Sequence, residues 1–539
     1  MYSREILYMR YLLYFLLLFG LLCSVGCTKV GPDFIRPKTE VLPAWIEAGD
    51  RRIKGGPLEQ HAWWCVFEDP VLDTLIDTAY HQNLTLSAAG VRVLEARAQL
   101  GIAIGGLHPQ SQLAFGSLQY NRISEHSPQA VATSQAVGVG NNLTYAQSEI
   151  GLSASWEIDF WGKFRRAIES ADAALMASVA DYDNVLVTLT ASVATSYILI
   201  RTLEKRIDIA RQNVETQTEA LMLAEARFHG GTTSQRDVEQ ATALLNDTQA
   251  TIPLLEAQLR QAKDALSVLL GSTPGDLTDV LSGSSSSIPA PPSQIAIGIP
   301  VDLLRRRPDI RSAEYQAMAQ GAQIGVAKAQ LYPAFSLSGT FGLLSSNLGG
   351  SSLADMFQWR SRTYSAGPSA QWNLFNYGVL TNNVRVQDAR FQQLLIAYQN
   401  AVLTAQQEVE DNLAGFLKAE DRAAFLARSA EAARRSFDLA VIQYREGVTD
   451  FTTVLTAQQA LLNEQDNLAV TLGSVAQNLV GVYKALGGGW EIREGMDLVP
   501  PEIRQAMAKR TNWGHLLSPA AYMPAPDEES RALMRSPDW

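Results

Sequence analysis

After residue 30 the sequence lacks any uninterrupted apolar run of transmembrane length, so no simple hydrophobic helix is expected to cross a membrane. A membrane-spanning chain of this kind must use a closed β-barrel. Positive charge is also short. The net charge is −11, and the one dense basic stretch is Arg305-Arg306-Arg307. That balance argues against nucleic-acid binding. Histidine is scarce: His61, His81, His108, His126, His229 and His515 are scattered without metal-ligand spacing. Neither a Gly-x-Ser-x-Gly elbow nor a phosphate loop is present, so neither an enzyme nor a metal or other cofactor is expected. Disorder is not expected either, with 47% hydrophobic and 18% charged residues.

Cysteine is limited to Cys23, Cys27 and Cys65. Arg4 and Arg10 give a weakly positive start to an apolar run, Tyr11 to Leu22, that is short for a transmembrane helix and reads as the core of a signal peptide. Ser24-Val25-Gly26-Cys27 follows. In one reading it is a lipobox, in which the Cys27 thiol is acylated and becomes the new N-terminus. In the other it is an ordinary cleavage site, since Ser24 and Gly26 suit that too. Lipoboxes usually carry Leu where Ser24 stands. Thr28 after the cysteine, rather than Asp, fits outer-membrane sorting. With lipidation, Cys65 is left alone and no internal disulfide forms. Beside Trp63-Trp64, it is expected to be a small packing residue.

The chain repeats itself. At an offset of 216 positions Trp156 falls on Trp372, Gly162 on Gly378, Tyr182 on Tyr398, Gly231 on Gly447 and Leu270-Gly271 on Leu486-Gly487. Upstream the offset is 224: Gln99, Gly101 and Pro109 meet Gln323, Gly325 and Pro333. This is a tandem duplication with one loop of different length. So long a period excludes short solenoid repeats.

Each half predicts the same order of elements. A helix leads to a proline (84–107; 312–331). Two period-two strands follow, about 110–121 and 147–158, then about 334–343 and 363–374. In the second half Phe335, Leu337, Phe341 and Leu343 alternate with Ser336, Ser338, Thr340 and Gly342. In the first half Leu113 and Phe115 are read on the same apolar face as Ile150, Leu152 and Trp156. One apolar and one small or polar face suits lipid outside and water inside, and equally a half-buried strand of a soluble sheet. Tyr120, Trp156, Trp161, Tyr364, Trp372 and Tyr377 near the strand ends favour the membrane interface. Four strands cannot close a barrel, so chains must pool them.

Helical hairpins follow at 163–271 and 379–487. Their first arms would each be on the order of 100 Å long. Apolar steps of three and four, such as Val193, Tyr197, Ile200, Leu203 and Ile207, indicate coiled-coil-like packing. The turns contain Gly231 and Gly447, which suit the left-handed conformation of a tight reversal. Pro308-Asp309 reads as a helix start. The divisions are therefore a signal peptide (1–26), an extended lipidated segment (27–70), a first repeat (71–280), a linker (281–300), a second repeat (301–489) and an irregular tail (490–539).

An ordered set of motifs carries a family resemblance. These are Cys27-Thr28-Lys29-Val30-Gly31-Pro32-Asp33-Phe34, Trp63-Trp64, Phe67-Glu68-Asp69-Pro70, Trp156-Glu157-Ile158-Asp159-Phe160-Trp161-Gly162, Arg306-Arg307-Pro308-Asp309, Tyr444 to Phe451, and Tyr483 to Trp490. Over about residues 27 to 490 the chain resembles the TolC-like outer-membrane efflux proteins, in their NodT-type lipoprotein branch. The resemblance implies a mixed α and β membrane protein. It implies a homotrimer whose pooled strands form a twelve-strand barrel, with helices forming a periplasmic α-barrel and a small equatorial domain around it. Cys27 would carry N-acyl and S-diacylglycerol lipid. The partners would be a periplasmic adaptor and an inner-membrane efflux pump of the resistance-nodulation-division class. An ATP-driven (type I) secretion system is the alternative setting.

By position in the family, the periplasmic gate candidates are Tyr444, Arg445, Asp450, Thr453 and Thr456. Relatives often carry Asp where Thr456 stands. The plainer reading is that Tyr444 packs and Asp450 caps a helix. Candidate adaptor contacts at the tips are Gly231, Thr232, Thr233, Gly447, Val448 and Thr449.

Overall fold

A computed structural model describes residues 29–54, 62–124, 126, 144–275, 277–281, 287–298, 300–301, 306–347 and 351–518. The signal peptide, Cys27, most of the serine-rich linker and residues 519–539 lie outside the described residues.

Two short helices open the first repeat: α1 (Pro70–Gln82) and α2 (Leu84–Gly105). Asp69 caps α1, accepting from Val71 N at 3.0 Å, and Tyr197 Oη donates to its other oxygen at 2.6 Å. The strands are β1 (Ile53–Lys54), β2 (Ser111–Arg122), β3 (Thr144–Ile158), β4 (Ile295–Ala296), β5 (Ala334–Ser346) and β6 (Arg362–Gln371). The long helices α3 (Lys163–His229) and α4 (Gln235–Leu269) make the first hairpin. After a short turn, α5 (Thr278–Leu281), comes α6 (Pro308–Ala329), which matches α2. The second hairpin is α7 (Val379–Arg445) and α8 (Phe451–Ala485). Both first arms have 67 residues and both second arms 35, so the two hairpins match in element lengths.

The helices form a wall in which α4 packs on α3, α3 on α8, and α8 on α7, while α2 and α6 brace α3 near the sheet. Part of α3 is apolar enough over an 18-residue window to pass as a membrane span, contrary to the expectation from uninterrupted runs. Its apolar residues are interspersed with Ala, Ser and Thr because it is enclosed on several sides; 67% of that window is buried within the protein.

Residues 29–54 run as a strap from the strand–helix junction along α7, without regular structure to Val41 and then through a series of turns from Trp45 to Ile53. Val30 N donates to Trp161 O at 3.1 Å. Farther along, Leu42 N and Ile46 N donate to Gln406 and Glu410. Arg52 then reaches Glu420 and Asp421, and β1 pairs in parallel with β4.

Two further expectations are corrected here. The segment after residue 490 is not wholly irregular: α9 (Pro501–Arg510) is a helix with Pro501 in its first turn. Ahead of it, Arg493 donates twice to the fully buried Asp183, which also receives Arg311 at 3.3 Å. Cys65 is exposed rather than packed. Partial burial and the Asp73 carboxylate push its thiol pKa up, away from nucleophilic character.

Candidate channel wall and tip

β2, β3, β5 and β6 form one antiparallel sheet in that order. The pairing register assigns the faces, because residues directly opposite share a side. Ala114, Leu152, Phe341 and Tyr364 make one cross-strand row on the apolar face. The next row, Leu113, Ser153, Thr340 and Ser365, lies on the other face, where Thr340 and Ser365 hydroxyls bond at 2.8 Å. Leu113 and Phe115 therefore sit on the polar face, not with Ile150 and Leu152. The β2 residues on the apolar face are Ala114, Gly116, Leu118 and Tyr120. Phe115 lies over Gly151: a Cβ there would meet Phe115 Cζ at 2.8 Å and Phe341 O at 2.7 Å.

At the foot of the sheet the two halves make matching hydrogen bonds. Trp156 Nε1 donates to Leu107 O at 3.1 Å, and Trp372 Nε1, just past the end of β6, donates to Leu331 O at 3.0 Å. Asp159 caps α3 by accepting from Phe164 N and Arg165 N, both at 3.0 Å. Arg307 joins the start of α6 to the end of α8, donating to Ala485 O at 2.7 Å. The basic run before Pro308 is thus structural where it is described.

At the far end both turns reverse in the same way. Gly231 and Gly447 have φ of +71° and +74°. Thr232 N bonds back to Arg227 O and Val448 N to Gln443 O, each at 2.9 Å, the six-residue closure expected of a glycine-terminated helix. Thr232 and Val448 are exposed, Thr233 bonds to Asp237, and Thr449 Oγ1 is buried.

The gate candidates separate into two groups. Asp450, Thr453 and Thr456 line one open groove with Gln443, between α7 and α8. Asp450 caps α8, accepting from Thr453 N at 3.2 Å and Thr453 Oγ1 at 2.8 Å. These bonds hold its carboxyl below the usual range. Thr456 Oγ1 donates to Thr452 O. Tyr444 lies elsewhere. It is buried among Phe437, Phe451 and Val454, with the Phe451 ring centroid at 5.1 Å. Arg445 is exposed and lines a separate groove between α3 and α7, floored by α8. Sequence reasoning missed Arg227. Its guanidinium lies over the Tyr444 ring and donates to Tyr444 O, joining the two tips. An arginine in a last helical turn reads as dipole compensation, and the tertiary contact leaves no local signal.

An amphipathic antiparallel sheet continued by a wall of roughly 100 Å helices has the architecture of an outer-membrane channel subunit. A family model described as "Outer membrane efflux protein" matches residues 75–272 and 299–488. The chain is 34% identical over 439 residues to the pyoverdine export outer membrane protein OpmQ of Pseudomonas putida, covering 81% of this chain and 90% of that one. It is 31% identical over 468 residues to nodulation protein T of Rhizobium leguminosarum bv. viciae, covering 86% and 90%. The outer-membrane channel OprN superposes with a TM-score of 0.78 at 32% identity, covering 86% of this chain and 100% of that one. The chain belongs to the outer membrane efflux protein family. It is an outer-membrane efflux channel component that extends into the periplasm.

Proposed function

We propose that three copies of this chain close a twelve-strand barrel in the outer membrane and continue it as a tunnel that is shut at its tip when idle. The observation that carries this reading is the pair of open sheet edges. β2 pairs only with β3 and β6 only with β5 among the described residues, yet the sheet presents an apolar face that suits lipid. Unpaired backbone groups in lipid cost several kcal/mol each, so the β2 edge of one copy meets the β6 edge of the next. The exposed Ile396, Leu403 and Phe425 of α7 supply apolar surface for the same contact.

Solutes pass without chemistry, driven by an inner-membrane pump that a periplasmic adaptor connects to the tips. The exposed Thr232 and Val448, with Gly231, Thr233, Gly447 and Thr449 shaping the turns, form the adaptor contact. The groove of Asp450, Thr453 and Thr456 faces the tunnel, Arg445 adds charge on the separate groove between α3 and α7, and Tyr444 holds the tip packed. Cys27 carries the lipid. Two residues on, Lys29 is tied to Glu169 at 3.1 Å, which holds the anchor level with the foot of the sheet.

Native mass spectrometry of the detergent-purified protein tests the assembly. A trimer carrying three lipid adducts, lost in Cys27→Ser, is expected. A single-chain mass in every detergent would overturn the barrel.

A further inference from the structure

Along the contact between α3 and α8, polar side chains about five turns from the tip are paired. Arg206 Nε donates to Asp466 at 2.7 Å and Asn213 Nδ2 to Gln465 Oε1 at 3.1 Å. Near the tip the contact is apolar, with Ala220, Ala224, Phe451 and Val454 in one cluster. Between these zones lie Gln217, one turn beyond Asn213, and Gln458 on the antiparallel α8, between Val454 and Leu461. They are 2% and 1% exposed. Neither the donor nor the acceptor of either amide has a protein partner among the described residues. On the other side of α3, Thr248 of α4 stands close to the same level, given the Arg211–Glu256 pair that sets the α3–α4 register. It is 1% exposed and its hydroxyl is likewise unpartnered. A second observation falls within about two turns: α4 contains Pro253 in its interior. A proline there removes a helical hydrogen bond and bends the helix.

We propose that the Gln217–Gln458 layer, with Thr248 behind it, is the level at which the helical wall parts when the tip opens. Gln217 and Gln458 are positioning residues of the gate. This inference rests on the gated-tunnel reading above. A buried amide without a partner destabilises the packed state, whereas an apolar side chain of similar size does not. When α8 swings from α3, both amides reach water, and the layer itself gives up no hydrogen bond. The paired zone on the sheet side of the layer stays zipped, and on the tip side Phe451 and Val454 leave Ala220 and Ala224.

The test is single-channel recording of full-length trimers, comparing wild type with Gln217→Leu/Gln458→Leu. The open probability of the double variant is expected to fall about tenfold or more. Its unitary conductance stays unchanged, because neither side chain lines the tunnel. Amide exchange over residues 451–465 slows in parallel. Gln458→Met, a milder change, gives a smaller fall and serves if the double variant does not assemble. Unchanged or raised open probability, in wild-type channels that do gate, overturns the layer and leaves the tunnel standing. Wild-type trimers that never conduct overturn the tunnel reading itself.

Discussion

Arg227 places its guanidinium carbon 4.6 Å from the centroid of the Tyr444 ring and donates to the Tyr444 carbonyl. One side chain from the first hairpin thereby caps the last turn of the second. It engages the ring face and an end-of-helix carbonyl together, and both favour a cation.

Arg227→Ala is expected to loosen the closed tip by about 1–2 kcal/mol, seen as a raised open probability. Tyr444→Phe is the control. The Tyr444 hydroxyl is buried without a protein partner among the described residues, so its loss should leave gating almost unchanged. A leak equal to that of Arg227→Ala would show that the hydroxyl matters and the ring stack does not.

The face assignment separates two neighbours. Leu152 belongs to the apolar row and Ser153 to the polar one. Leu152→Arg should cost about 2–4 kcal/mol near mid-membrane, and trimers should lose heat resistance on gels. Ser153→Arg should assemble normally and change conductance and ion preference instead. The reverse outcome would place the polar face against lipid.

Asp183 is fully buried between Arg493 and Arg311. Asp183→Ala leaves two confined cations without their partner and should cost about 3–5 kcal/mol. The segment after residue 490 would then become open to limited proteolysis. Digestion no faster than wild type would mean that Leu498 and Val499, packed against Gly90, hold the segment alone.

The hydrogen bonds from Arg52 hold the Asp50 carboxyl well below its ordinary value of 3.8. A lowered folded pKa stabilises above the ordinary value, and that stabilisation is lost as pH falls through the folded one. The strap should therefore resist pepsin at pH near 4 and yield only at stronger acid. Asp50→Asn should remove this pH dependence. Wild-type cleavage at pH 4 as fast as in that variant would rule out the pairing.

Sequence made visible what is periodic or locally signalled. The starts of α3 and α7 at Lys163 and Val379 are legible in the sequence, because a glycine precedes each and apolar steps follow. The two tips followed from Gly231 and Gly447. The polar side of β2 was not readable, since both of its alternating sets carry apolar residues and only pairing with β3 decides between them. Helix α9 was hidden by its prolines, although Pro501-Glu502 is a fair helix start. The strap, Arg227 and the Gln217–Gln458 layer depend on contacts between residues hundreds of positions apart or on opposing helices, which no local pattern announces.

The most direct measurement is the single-channel conductance of the purified, mass-verified trimer in a planar bilayer. The account predicts discrete steps from a mostly closed channel, with open events becoming more frequent in Arg227→Ala. A confirmed trimer that gives no steps, in wild type and variant alike, would contradict it.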